Sequence, residues 1–190
     1  MAVRAVFLVG FMASGKTRVG KELAQGLGWD FVDLDAQIEA REKRTVAELF
    51  QERGEPGFRA AETSALRELL TQSRQHNIVI ALGGGAFVQD MNRELLRPWP
   101  TVFLETAIDE LWQRSVTDHV ERPLRQSAEQ FAALYHQRLP FYRQATVAIV
   151  TSGKDPASLC AEIERSLHLE GNRKAGLSEI SLASPETGEN

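Results

Sequence analysis

The sequence predicts an α/β fold, a three-layer sandwich in which a five-stranded parallel sheet is flanked by helices. Three observations carry that prediction. Short apolar runs alternate with helical patterns along most of the 190 residues. The runs are continuously apolar rather than alternating, as expected of strands covered on both faces and hence parallel. Three of the five runs also end in residues able to do chemistry, at Gly10 to Thr17, Asp33 to Asp35 and Gly83 to Gly85. In open parallel sheets, ligands sit beyond the carboxyl ends of the strands.

The elements follow in order. Val6-Phe7-Leu8-Val9 is a β-rich run that stops at Gly10. From Lys16 to Leu27, Val19, Leu23 and Leu27 recur every four residues and form one helix face. Phe31-Val32 reads as a second strand. Thr45 and Glu48 have the spacing of a capping box opening a short helix, and a longer helical pattern runs from about Ala60 to Gln72. Ile78 to Leu82 is a third strand ending at Gly83, and Thr101 to Leu104 and Thr146 to Val150 supply two more, with helical stretches between and after them. From about Glu170 the chain turns rich in Gly, Ser, Glu and Asn, so 1–169 reads as a single domain and 170–190 as a disordered tail.

Composition narrows the function. The 22 basic and 26 acidic residues give a net charge of −4, which offers no general field for nucleic acid or an anionic membrane. Cys160 is the only cysteine, so an intrachain disulfide is impossible, and the thiol is expected to pack in an apolar helix face. No segment approaches the ~20 apolar residues that span a bilayer. Met1-Ala2-Val3-Arg4 runs straight into a strand without signal-peptide organisation, so the expected location is cytoplasmic. His76, His119, His136 and His168 lack metal-ligand spacing. A monomer is the default expectation.

Gly10-Phe11-Met12-Ala13-Ser14-Gly15-Lys16-Thr17 satisfies G-x-x-x-x-G-K-[ST], between a strand and an amphipathic helix. Glycines let successive backbone N–H groups face one anion, and the following helix adds its N-terminal dipole. Lys16 can place a compact charge on the β- and γ-phosphates of ATP, and the Thr17 hydroxyl can ligate Mg²⁺. The predicted chemistry is phosphoryl transfer from ATP to a hydroxyl of a small acidic metabolite.

The acceptor side is less explicit. If Asp33-Leu34-Asp35 is extended, residues i and i+2 point the same way and both carboxylates face one cleft. One could hold Mg²⁺ and the other accept a hydroxyl proton; a helix cap with solvated charge is the plainer alternative. Gly83-Gly84-Gly85 is either a flexible turn or a close approach of backbone to ligand. Arg59 and Glu62, three apart on a helix, form either a surface ion pair or part of a cleft. Arg114, Arg122, Arg125, Arg138 and Arg143 cluster in an otherwise acidic chain. Arg122-Pro123-Leu124 lies where a closing lid, about 115–127, could bring a cation to the transferring group.

Taken together, the chain resembles a shikimate kinase over roughly residues 3–168. The resemblance rests on Gly10 to Thr17, Phe31 to Asp35, Gly54 to Glu62, Leu82 to Ala86, Arg122-Pro123-Leu124 and Arg138-Leu139-Pro140-Phe141-Tyr142. It implies a nucleoside-monophosphate-kinase-like fold with a lid, and transfer of the ATP γ-phosphoryl group to the 3-hydroxyl of shikimate, on the route to chorismate and aromatic amino acids. It also implies ATP-loop roles for Gly10, Ala13, Ser14, Gly15, Lys16 and Thr17, with Arg114 against the adenine. Thr17 and Asp33 would serve Mg²⁺, and Asp35 would bind the ring hydroxyls and orient or deprotonate the acceptor. Arg59 and Arg138 would pair with the shikimate carboxylate, the Gly83-Gly84-Gly85 backbone would contact the ring, and Arg122 would be the catalytic lid arginine. Ala13 and Arg125 depart from the family, which usually has glycine and an apolar residue there. The alternatives are a related kinase acting on gluconate or a nucleotide, and a regulatory nucleotide-binding module. No N-K-x-D motif supports a GTP switch, and Arg59 with Arg138 suits a compact carboxylate better than a base.

Overall fold

The computed structural model describes residues 3–117 and 127–169. Five strands, β1 (Ala5–Val9), β2 (Asp30–Asp33), β3 (Ile78–Ala81), β4 (Thr101–Glu105) and β5 (Val147–Val150), form one sheet in the order β2-β3-β1-β4-β5. Every pairing is parallel, and Phe7 of β1 lies opposite both Ile80 and Thr101. Among the described residues, seven α-helices connect and follow them: α1 (Lys16–Leu27), α2 (Leu34–Glu42), α3 (Val46–Gln72), α4 (Asp90–Leu96), α5 (Ile108–Thr117), α6 (Ala128–Tyr142) and α7 (Pro156–Ser166).

Alternation along β1 makes the three layers. Val6 and Leu8 face α1 and α7, joining Val19, Leu23, Leu27, Leu159 and Ile163 in one apolar cluster. Phe7 and Val9 face the opposite way, into a larger cluster with residues of α2 to α6, among them Leu34, Leu66, Leu111 and Tyr142. All five residues of β1 are buried, as its apolar run predicts. Cys160 packs on α7 with its Sγ 3.7 Å from the Val19 carbonyl, and burial pushes its thiol up to about 12. Among the described residues, no helix is long and apolar enough to cross a membrane.

Two elements differ from expectation. β5 is an edge strand, so despite its apolar run only Ile149 is buried, and Val150 is 52% exposed. The short and long helical patterns join in α3, broken at Gly54 with φ 66° and ψ −179°, a conformation that essentially requires glycine. The second segment resumes at once, ahead of Ala60, and Pro56 fits its first turn because a proline there forfeits no helical bond. The Thr45–Glu48 capping box forms as predicted, with each side chain accepting the other's backbone N–H.

The proposed lid falls largely outside the described residues. Ser115 to Thr117 form the last turn of α5 and Ser127 caps α6, but residues 118–126, including Arg122, Pro123, Leu124 and Arg125, lie outside them. So do residues 170–190.

The loop from β1 to α1 has positive φ at Gly10 (148°), Ala13 (63°) and Gly15 (88°). Left-handed values interleaved with ordinary ones turn successive N–H groups toward one concavity. Ala13 occupies that region with a Cβ, at a cost of about 1–2 kcal/mol. Glycine would relieve this, less about 0.5–1 kcal/mol for its greater freedom when unfolded. Ala13→Gly should therefore stabilise the fold by about 0.5–1 kcal/mol, raising Tm by about 2 °C. Calorimetry showing an unchanged or lower Tm would contradict the strain.

Candidate active site

The phosphate loop is shaped from within. Lys16 arches back over it, donating to the carbonyls of Gly10 at 3.0 Å and Phe11 at 2.8 Å, with Ser14 Oγ at 3.5 Å. No side chain caps α1, because its N-cap residue is Gly15. An uncapped helix N-terminus beneath a ring of backbone N–H groups and a lysine is an anion site.

Asp33 joins this loop to the acceptor side. Its Oδ2 accepts the Thr17 hydroxyl at 2.7 Å, while its Oδ1 accepts the backbone N–H groups of Asp35 and Ala36 at 3.1 and 3.4 Å. The expected extended Asp33-Leu34-Asp35 segment is therefore corrected. Asp33 ends β2 and caps α2, and Asp35 already lies in the first helical turn. Leu34 takes the buried side of that turn, leaving both carboxylates on the cleft. Burial and neighbouring Asp33 hold the Asp35 carboxyl above its usual range, against the pull of Lys16 and Arg59.

Arg59 and Glu62 do not form a surface pair. Glu62 is fully buried on α3, and its Oε2 accepts from Arg59 Nη1 at 2.9 Å and from Gln89 Nε2 at 2.6 Å. Its Oε1 is buried without a hydrogen-bond partner among the described residues. Burial pushes the carboxyl up to about 7 despite Arg59. The guanidinium of Arg59 also bonds Glu55 at 3.0 Å and lies 5.3 Å from the centre of the Phe58 ring.

The glycine triplet is a close approach, but of side chains to backbone. None of the three has positive φ, and at Gly83 and Gly85 it is space rather than conformational freedom that favours glycine. A Cβ at Gly83 would stand 2.5 Å from Asp35 Oδ1 and 3.0 Å from Glu62 Oε1, and one at Gly85 would strike the Arg59 guanidinium. Arg138 reaches the same loop from α6. It is buried at 7% exposure, and within the described residues its guanidinium meets only neutral partners, the Gly84 carbonyl at a long 3.4 Å and the Tyr142 hydroxyl. Most of its N–H donors remain for an anion.

One cavity of about 1050 Å³ is lined by Lys16, Asp35, Arg59 and Arg138 together. Ala13, Ser14, Gly15, Thr17, Asp33 and the three glycines also line it. Gly10 does not; it forms the base of the loop. Arg114, paired with Glu110 at 2.7 Å, lines the cavity with Thr151, Lys154 and Pro156. Arg122 lies outside the described residues. Glu62, Gln89 and Tyr142, whose hydroxyl donates to the Gly84 carbonyl, were not among the predicted site residues. Glu62 and Tyr142 stand in segments that carry the family resemblance, and nothing in the sequence pointed to Gln89.

The family model for shikimate kinase matches residues 12–168. A shikimate kinase of Geobacter metallireducens is 41% identical over 173 residues, covering 90% of this chain and 94% of that protein. The structure of the Acinetobacter baumannii shikimate kinase in complex with shikimate superposes with a TM-score of 0.79 at 36% identity, covering 86% of this chain and 92% of that one. A gluconokinase from Sinorhizobium meliloti, at 17% identity and a TM-score of 0.58 with 88% and 94% of the two chains covered, shares the fold alone. With the loop, the paired arginines and Asp35 converging on one cavity, and with likeness of this extent in sequence and structure, the chain belongs to the shikimate kinase family.

Proposed function

We propose that this chain transfers the γ-phosphoryl group of ATP to the 3-hydroxyl of shikimate, as a cytoplasmic monomer, with both substrates held in the cavity described above. The observation that carries the reading is the buried Arg138, whose neutral partners leave N–H donors over, opening on the same cavity as Lys16 and Asp35. A desolvated guanidinium with unused donors is matched by a carboxylate, which it can bind with two parallel charge-assisted bonds. Arg59 supplies a second cation for that carboxylate, and the backbone of Gly83 to Gly85 lies against the ring.

On the donor side, the loop N–H groups and Lys16 hold the phosphates, and Arg114 lies against the adenine. Thr17 Oγ1 and Asp33 Oδ2, 2.7 Å apart, are hard oxygen donors fit for Mg²⁺. Mg²⁺ usually keeps several waters and takes its other oxygens from one or two carboxylates and substrate phosphates. Mg²⁺ bound there supplies neutralisation of charge on the phosphate oxygens. Asp35 orients the acceptor hydroxyl and takes its proton as the hydroxyl oxygen bonds to the γ-phosphorus. The bond from that phosphorus to the bridging oxygen breaks, and ADP leaves. Arg122 completes the site by bringing a further cation to the transferring group.

An ADP-release assay with shikimate, with gluconate and with no acceptor tests the assignment. Turnover with gluconate and none with shikimate would defeat it. Asp35→Asn should lower kcat by roughly 10²–10⁴-fold with nucleotide binding intact; unchanged turnover would remove Asp35 from the chemistry. Arg138→Ala should raise the KM for shikimate by about 2–4 kcal/mol equivalent. Equal losses toward acceptors with and without a carboxylate would contradict its role.

Glu62 gives a pH test. Its carboxyl, normally near 4.5, titrates near 7 in the folded chain. The stability linked to its neutral form is fully present below the unfolded value and is lost as pH rises through about 7. Glu62→Gln should therefore gain Tm relative to the parent as pH is raised from about 5 to about 8. A Tm difference independent of pH would show that burial does not raise this group.

A further inference from the structure

Tyr142 is the last residue of α6 and is fully buried. Its ring stacks on Phe103 of β4 with centroids 5.4 Å apart, and its hydroxyl donates to the Gly84 carbonyl. Arg138, one turn earlier on the same helix, approaches that carbonyl too, at 3.4 Å. On its other side Gly84 is packed on the phosphate loop, since a Cβ there would stand 3.5 Å from the Met12 nitrogen.

We propose that Tyr142 is a positioning residue for the acceptor: by fixing the Gly84 carbonyl toward α6, it turns the N–H of the same peptide group, carried by Gly85, into the cavity and leaves Arg138 for the acceptor carboxylate. This rests on the acceptor reading given above. The carbonyl and N–H of a trans peptide point in opposite directions, so fixing one fixes the other. No described residue's backbone accepts from the Gly85 N–H, and Gly85 lines the cavity. The Arg138 bond lies at the long limit of hydrogen bonding, so the phenol is the principal partner of that carbonyl. The phenol is a donor at neutral pH, and burial pushes it up to about 12 against the pull of the adjoining Arg138 guanidinium. Without the hydroxyl, the carbonyl would draw Arg138 toward itself and the Gly84–Gly85 peptide would be free to rotate. Both changes weaken acceptor binding and leave the phosphate loop alone.

The test compares Tyr142→Phe with Phe103→Leu, which loosens the stacked ring but keeps the hydroxyl. Tyr142→Phe should raise the KM for shikimate by about 10-fold, with kcat and the KM for ATP within about twofold of the parent. Phe103→Leu should lower Tm while leaving the shikimate KM within about twofold. An unchanged shikimate KM in Tyr142→Phe overturns the proposal, as does an equal rise in Phe103→Leu, which would make the effect one of stability. Parent enzyme that fails to turn over shikimate overturns the functional reading and this inference with it, and that result is visible before any variant is made. If Tyr142→Phe does not fold, hydrogen exchange at the Gly85 amide of the parent decides. Slowing of at least about tenfold by saturating shikimate supports the proposal, and an unchanged rate overturns it.

Discussion

The carboxylate of Asp33 is the joint on which the two halves of the site depend. One oxygen takes the Thr17 hydroxyl at the start of α1, and the other takes the N–H groups that open α2. It therefore fixes the phosphate loop that follows β1 relative to the acid, Asp35, that follows β2. These strands are not neighbours, because β3 lies between them in the sheet. Whatever follows β3 must pass through the gap that the joint spans. A side chain at Gly83 would strike Asp35, and Gly84 packs near the Met12 nitrogen. Strand order, rather than turn geometry, is what favours glycine at Gly83.

The same gap explains how charge is distributed. The chain is acidic overall, yet Lys16, Arg59, Arg114 and Arg138 all line one cavity. The four are held differently. Lys16 rests on carbonyls, Arg114 on a partly exposed glutamate, and Arg59 on one exposed and one buried carboxylate. Arg138 has the Gly84 carbonyl, the Tyr142 hydroxyl and the Phe11 ring, 5.9 Å from its guanidinium carbon, and no carboxylate bonded to it among the described residues. Burying a cation with so few partners is costly. An anion bound beside it would offset that cost.

Local signals were legible in the sequence and long-range ones were not. The phosphate loop, the Thr45–Glu48 capping box and the buried strands could be read because each depends on neighbours within a few residues. The same locality misled at Asp33. Its i, i+2 spacing suits an extended segment, whereas the preference of aspartate for helix N-caps decides the conformation. Arg59 and Glu62 look like any surface pair three residues apart, and their burial comes from the glycine loop and Gln89, which are distant in sequence. The bond from Tyr142 to Gly84 joins residues 58 positions apart, a separation across which no local pattern reports. The exposure of β5 likewise follows from its place at the sheet edge, which an apolar run does not encode.

What remains is how the donor and acceptor halves keep their separation, since transfer between two bound groups is sensitive to displacements of about 1 Å. Asp33 ties the halves on one side by hydrogen bonds. On the other, the tie is apolar. Phe11 of the phosphate loop meets Phe131 and Tyr135 of α6 edge-on, with centroids 5.0 and 5.4 Å apart. Trp112 of α5 closes on Phe131 at 5.3 Å. The helix that carries Arg138 is thus seated on the loop that carries Lys16 through interlocked rings, which are close-packed and yield little to strain. Polar groups there would have needed partners or water. Aromatic packing sets the distance between the Arg138 guanidinium and the phosphate loop, and the one hydroxyl among these rings, that of Tyr135, donates to the Thr106 carbonyl.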